Sequence, residues 1–150
     1  MWALLVFLMP RGASAIQPRL PPVRIEGNST VYHVGDGMNN GKLGCVAEAR
    51  RLLGHNNLGD NLPIVALRDP EAPACGTLVY IEHARTHRVA LALRLDSGPW
   101  SCYAEDDART TVVGPMCPPG SKRKSVADLT KRVANEIDHD GFDPVRIRWW

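Results

Sequence analysis

From Arg88 to Leu95 the chain alternates between polar or small residues and Val89, Leu91, Leu93 and Leu95. A period of two predicts a β-strand with one buried apolar face. The β-rich run from Thr77 to Glu82 precedes it, and polar residues from His83 to His87 separate the two, so the pair predicts a hairpin. The second strand delivers Asp96 into Ser97-Gly98-Pro99-Trp100, where glycine relaxes the limit on φ and proline ends the ladder. An acid is therefore held at a strand end. Upstream, Val46, Ala49, Leu52 and Leu53 fall on one helical face, and Gly54 stops that run as a cap does. Ile64-Val65-Ala66-Leu67 is a brief apolar strand. Towards the C-terminus Leu129, Val133 and Ile137 recur at helical spacing, with Lys131, Arg132, Asn135, Glu136 and Asp138 opposite, which predicts an amphipathic helix. Val145, Ile147 and Trp149 then alternate with Arg146, Arg148 and Trp150 as a closing strand does.

Composition narrows the picture modestly. A chain of 150 residues, 44% hydrophobic and 23% charged, has single-domain length and a globular balance. The net charge of +2 favours no class of partner. Lys122, Arg123, Lys124, Lys131 and Arg132 cluster without a nucleic-acid motif or interleaved aromatics, which reads as a solvated surface, so nucleic acid is not expected as a partner. The five histidines are scattered and mostly in predicted loops; His83 and His87 are four apart but sit in the hairpin turn, so they are expected as exposed polar residues and no metal site or cofactor is implied.

The apolar run from Met1 to Met9 followed by Ala13-Ser14-Ala15 has the form of an export signal over residues 1–15, and is too short to span a bilayer. No integral membrane span is expected. A miscalled start or a disordered tail would have the same composition. Residues 16–27 are Pro-rich and aperiodic, an arm or linker. Four cysteines, Cys45, Cys75, Cys102 and Cys117, form no C-x-x-C pair, and an even count in a small exported chain points to two disulfides with three possible connectivities. Asn28-Ser29-Thr30 is a glycosylation sequon, relevant only in a eukaryotic secretory pathway. The stretch 101–125 reads as a long loop.

Cys75-Gly76-Thr77, the hairpin and Asp96-Ser97-Gly98-Pro99 resemble the core of the double-psi β-barrel domains of rare lipoprotein A. Ala127-Asp128-Leu129-Thr130, a helix, and Gly141-Phe142-Asp143-Pro144-Val145 are similar to the ending shared by that family, expansins and expansin-related endoglucanases. Thr30, Tyr32, Asp36, Gly37, Gly41 and Cys45 match the opening strand and glycine-rich loop of expansin-like barrels, with Val31 where a Trp is expected. The resemblance implies a mainly β fold over residues 28–150, a six-stranded double-psi β-barrel with one or two short helices. It pairs Cys45 with Cys75, leaving Cys102 for Cys117. It puts Asp128 at the position of the expansin catalytic-type Asp, and Thr30 and Tyr32 on the face that lines the substrate groove. One position departs: where rare lipoprotein A has a catalytic His, this chain has Pro70 between Asp69 and Glu71, which argues against a lytic transglycosylase of that specific type.

The implied function is that of a secreted or periplasmic monomer that binds or remodels a cell-wall polysaccharide such as peptidoglycan, with no cofactor. Asp96 and Asp128 are the candidate catalytic acids, and Thr30, Tyr32, Asp36 and Trp100 the candidate substrate-binding residues, with Tyr32 and Trp100 stacking on sugar faces. An enzyme of this class, a lytic transglycosylase or glycosidase, would need one carboxyl with a raised pKa to protonate the glycosidic oxygen. A non-enzymatic secreted or virion structural part is the further alternative, since fold does not fix function. Independently of the resemblance, an Asp immediately before a helix is usually an N-cap, and that reading of Asp128 stands beside the catalytic one.

Overall fold

A computed structural model describes residues 19–32, 41–68, 71–98, 101–104, 111–113, 121–123 and 125–150. In chain order the elements are β1 (Val23–Tyr32), α1 (Val46–Leu53), β2 (Ile64–Leu67), β3 (Leu78–His83), β4 (Val89–Asp96), β5 (Ser101–Ala104), β6 (Thr111–Val113), β7 (Ser121–Arg123), β8 (Ala127–Thr130), α2 (Lys131–Glu136) and β9 (Phe142–Arg148). Six strands close into a barrel in the order β1-β8-β2-β4-β3-β9. Two of its pairings, β1 with β8 and β2 with β4, are parallel; the other four are antiparallel. Parallel neighbours need crossover connections, so the barrel is not a simple meander. Among the described residues no helix is long and apolar enough to cross a membrane.

The barrel core is built from Val65, Leu67, Val79, Ile81, Ala90, Ala92, Ala127, Leu129, Val145 and Ile147, with Val133, Ala134 and Ile137 from α2 and its end closing over it. A second, smaller cluster lies outside the barrel wall, where Leu43, Cys45 and Ala49 pack against Ile64 and Leu95. Cys45 and Cys75 form a disulfide across a sequence separation of 30. On the chain-entropy model such a loop stabilises by ~4 kcal/mol. Cys117 lies outside the described residues, as do residues 1–18, Pro70, Asp36 and Trp100.

The structure corrects several expectations. The hairpin is present, but its faces are reversed: Ala90 and Ala92 enter the barrel core, while Val89 and Leu91 are exposed and Leu93 and Leu95 face the outer cluster. The interior of a six-stranded barrel is narrow, so small side chains fit inward and the leucines are left for α1 to cover in part. Of the predicted α1 face only Ala49 is fully buried, and Val46 and Leu52 remain exposed. Gly54 does cap α1, at φ 78°. Residues 23–27, read as arm, belong to β1, whose ladder with β9 begins at Val23. The stretch read as a long loop contains a three-stranded sheet in the order β6-β5-β7.

The largest local change concerns Asp128. Leu129 is a strand residue, and α2 starts only at Lys131 after Thr130. The N-cap reading of Asp128 is therefore wrong. Thr130 occupies the N-cap position, yet its hydroxyl donates to the Leu62 carbonyl at 2.5 Å rather than capping.

Candidate functional site

Strand registers bring the predicted acids together. Thr30 of β1 pairs with Asp128 of β8, Asp128 with Ala66 of β2, and Ala66 with Asp96 of β4. Four residues thus stand abreast across four neighbouring strands. Their neighbours Val31, Ala127, Leu129, Val65 and Leu67 pack against the barrel core, so by alternation the row faces away from it. A register shift between Val65 and Ala66 makes Leu95 the extra residue in β4 and lines Asp96 up with Ala66. With ~4.8 Å between strands, the Asp96 and Asp128 backbones stand ~10 Å apart, separated only by a methyl side chain.

Each carboxyl is held differently. Asp96 is 6% exposed, and its Oδ1 accepts from the backbone N–H groups of Gly44 at 2.7 Å and Ser97 at 2.9 Å. Burial pushes its pKa up, against these two hydrogen bonds and the nearby Arg94 charge, and the net shift is upward. Gly44 is required at this contact: a Cβ there would sit 2.9 Å from Asp96 Oδ1. Asp128 is half-buried, and its Oδ1 accepts from the Thr30 hydroxyl, which lies 3.2 Å from the Ser125 hydroxyl. Ser125 is itself buried, so the Ser125-Thr30-Asp128 chain is anchored on the inside, with half-buried Asp128 at its other end.

Tyr32 lies two residues beyond Thr30 on the same face of β1. Its phenol is raised in pKa by burial first, then by the charges of Asp96 and Asp128, which places it in the field of both acids. The phenolic oxygen is buried and has no hydrogen-bond partner among the described residues. A buried hydroxyl without a partner is rare and calls for a physical reason. The structure thus assembles Thr30, Tyr32, Asp96 and Asp128, with Ala66 and Gly44 as the small residues that permit it. Neither of these two carried a signal in the sequence. Ala66 could have been found only by knowing the register, and Gly44 only by knowing what Asp96 meets.

A second polar group, missed by sequence reasoning, is buried where β1, β3, β9 and the turn after α2 meet. His83 and His139, expected as exposed loop residues, are 2% and 9% exposed. Ser29 Oγ lies 2.8 Å from His139 Nε2 and donates to the Asp143 carbonyl at 3.2 Å. His139 accepts from Gly141 N–H at Nδ1 and from Asp143 N–H at Nε2, while His83 Nδ1 accepts from Arg85 N–H, which leaves the His83 proton on Nε2. His83 Nε2 then faces Asp143 Oδ2 at 3.4 Å, and the other oxygen meets Arg85. Burial lowers the His139 pKa. Asp143 is also held low, because hydrogen bonds from Asp140 and His83 and the Arg85 charge outweigh its burial. Ser29 is fully buried and its hydroxyl already donates to the Asp143 carbonyl, so the cluster is a closed support rather than a hydrolytic dyad. Among the described residues no group of His, Cys, Asp and Glu is arranged to hold a metal ion. No family model matches the sequence, and a search of curated proteins finds no match.

Proposed function

We propose that this barrel is an exported protein that binds or remodels a cell-wall polysaccharide of the peptidoglycan type, on the double-psi plan of the rare lipoprotein A and expansin relatives. The observation that carries the reading is the buried Tyr32 hydroxyl, which lacks a partner among the described residues and sits in the field of two carboxyls. A glycan offers hydroxyls that both donate and accept, the chemistry that Thr30, Asp128 and this phenol call for. The two parallel pairings in a closed six-strand barrel support the double-psi plan, since each needs a crossover loop.

One observation favours cleavage as a second reading. The raised pKa of Asp96 fits a carboxyl that keeps a proton to give to a glycosidic oxygen. Backbones ~10 Å apart allow carboxyls at the ~6.5–9.5 Å of an inverting pair more readily than the ~5–5.5 Å of a retaining one. Co-sedimentation with insoluble peptidoglycan and with cellulose, with soluble sugar release followed on each, tests both readings. Retention on peptidoglycan that falls at least tenfold in Asp128→Asn supports the glycan site, and sugar release lost in Asp96→Asn supports cleavage. Folded protein retained by neither polymer overturns the proposal.

A further inference from the structure

The Cys45–Cys75 disulfide has a cation against it. Arg94 is 4% exposed, and its Nη1 lies 2.6 Å from Cys75 Sγ and 3.2 Å from Cys45 Sγ. Its Nη2 donates to the Ser97 hydroxyl at 3.1 Å and, more weakly, to the Leu67 carbonyl at 3.4 Å, which fixes the plane of the guanidinium. A disulfide sulfur is a weak acceptor, whereas a thiolate carries a full charge that an arginine meets with a charge-assisted bond. The same contact is therefore worth much more after reduction than before. A cation beside a cysteine lowers its thiol pKa, and a thiol of lower pKa leaves faster from a disulfide.

We propose that Cys45–Cys75 is a thiol-exchange site that a dithiol reductant opens in the folded protein, with Arg94 holding the departing thiolate. The dithiol's thiolate attacks Sγ of Cys75, the more exposed residue of the pair. The protein S–S bond breaks, a mixed disulfide forms, and Cys45 leaves with the electron pair as a thiolate against Arg94. The second thiol of the reductant, after losing its proton to solvent, attacks the reductant's own sulfur in the mixed disulfide, and Cys75 leaves as the second thiolate. The protein gains two electrons, and the dithiol, oxidised, closes into a cyclic disulfide.

Opening this bond reaches the acid site through short links. Cys45 N–H donates to the Leu95 carbonyl at 3.0 Å, and the adjacent Gly44 N–H donates to Asp96 at 2.7 Å. The disulfide thus tethers the segment that holds Asp96. This coupling rests on the glycan-site reading; the thiol exchange itself does not.

The test follows dithiothreitol reduction of the folded full chain without denaturant, quantifying alkylated Cys45 and Cys75 by peptide mass spectrometry. Reduction is expected to be at least tenfold slower in Arg94→Gln and close to wild type in Arg94→Lys. Equal rates in wild type and Arg94→Gln overturn the proposal, as does a rate that climbs with urea in parallel with global unfolding. Should Arg94→Gln fail to fold by circular dichroism, the alkylation pH profile of reduced, folded wild type decides. A thiolate formed well below the ordinary thiol value of ~8.5 supports the site, and one formed at or above it overturns it. Peptidoglycan retention is read separately: a fall on reduction supports the coupling, an unchanged value overturns the coupling, and no retention before reduction overturns the glycan reading instead.

Discussion

Asp96 and Asp143 are both buried aspartates at strand ends, 6% and 2% exposed, yet their pKa values move in opposite directions. Asp143 meets Asp140 N–H at 2.8 Å, His83 and the Arg85 guanidinium. Asp96 meets two backbone N–H groups, while the guanidinium nearest to it directs its Nη1 at the sulfurs of a disulfide. Burial alone does not fix the charge of an acid; the partners that replace water do. A fully compensated carboxylate belongs to the framework. One left short of compensation, beside a phenol with no partner among the described residues, has the character of a site.

The contrast breaks first on stability. Asp143→Ala removes the acceptor for Asp140 N–H and His83 and opens a cavity, so it is expected to destabilise by ~3 kcal/mol, read by urea denaturation. The fraction that stays folded should bind glycan as wild type does. A loss below ~1 kcal/mol would mean that the buried His-Asp cluster is not the support described here.

Acid pH sharpens the comparison because the two regions respond with opposite sign. His139 is held below its ordinary 6.5, so the unfolded chain takes up a proton that the folded one resists. Its contribution is complete above pH 6.5 and is lost as pH falls towards the depressed folded value. Asp143 and Glu82, also held low, add losses of the same sign below the ordinary carboxylate range. Asp96 is held high, so its contribution grows as pH falls through its raised value. Melting temperature is expected to drop between about pH 7 and about pH 5, less steeply in His139→Gln and, towards the lower end, more steeply in Asp96→Asn. Parallel slopes in all three proteins would remove the distinction.

Tyr32→Phe tests the site from the other side. Deleting a buried hydroxyl that has no partner among the described residues should leave stability unchanged or raise it by ~1 kcal/mol. Peptidoglycan retention should fall by about tenfold, the equivalent of one hydrogen bond at ~1.4 kcal/mol. A stability loss above ~1 kcal/mol would instead assign the phenol a structural partner.

These residues also explain what could be read from the chain. The β3–β4 hairpin, the closing strand and the Gly54 cap were legible because they depend on local periodicity and turn chemistry, whereas the Cys45–Cys75 bond was expected only from the family resemblance, the cysteines alone leaving three connectivities open. Which face of β4 turns inward was not, since Val89 to Leu95 has the stronger apolar pattern and the narrow barrel selects Ala90 and Ala92 against it. Asp128 was singled out as a candidate site residue but its N-cap reading put it beside the wrong element, because Leu129, Val133 and Ile137 mimic one continuous helical stripe across a strand-helix junction. The buried histidines were missed for a related reason. His83 borders a polar turn in sequence, and only the closure of β3 on β9 and of Asp143 on Ser29 takes it and His139 out of water.

The smallest expected change in stability carries the most information. Asn keeps the carbonyl oxygen that Gly44 and Ser97 donate to, and it removes a charge that burial disfavours, so Asp96→Asn should be as stable as wild type at neutral pH or slightly more so. Asp128→Asn likewise keeps an acceptor for Thr30 and should shift stability by less than ~1 kcal/mol. A framework role predicts that function follows stability and so stays intact in both. A site role predicts that function is lost while the melting temperature holds, since Asn neither donates an acid proton nor carries charge. The two variants also separate binding from catalysis. On the site reading half-buried Asp128, beside Thr30, meets the ligand first and its Asn variant should lose retention on peptidoglycan; Asp96 lies deeper, so its variant should keep retention and lose any sugar release. Unchanged retention and release in both folded variants would mean that the row across β1, β8, β2 and β4 is part of the barrel wall and nothing more.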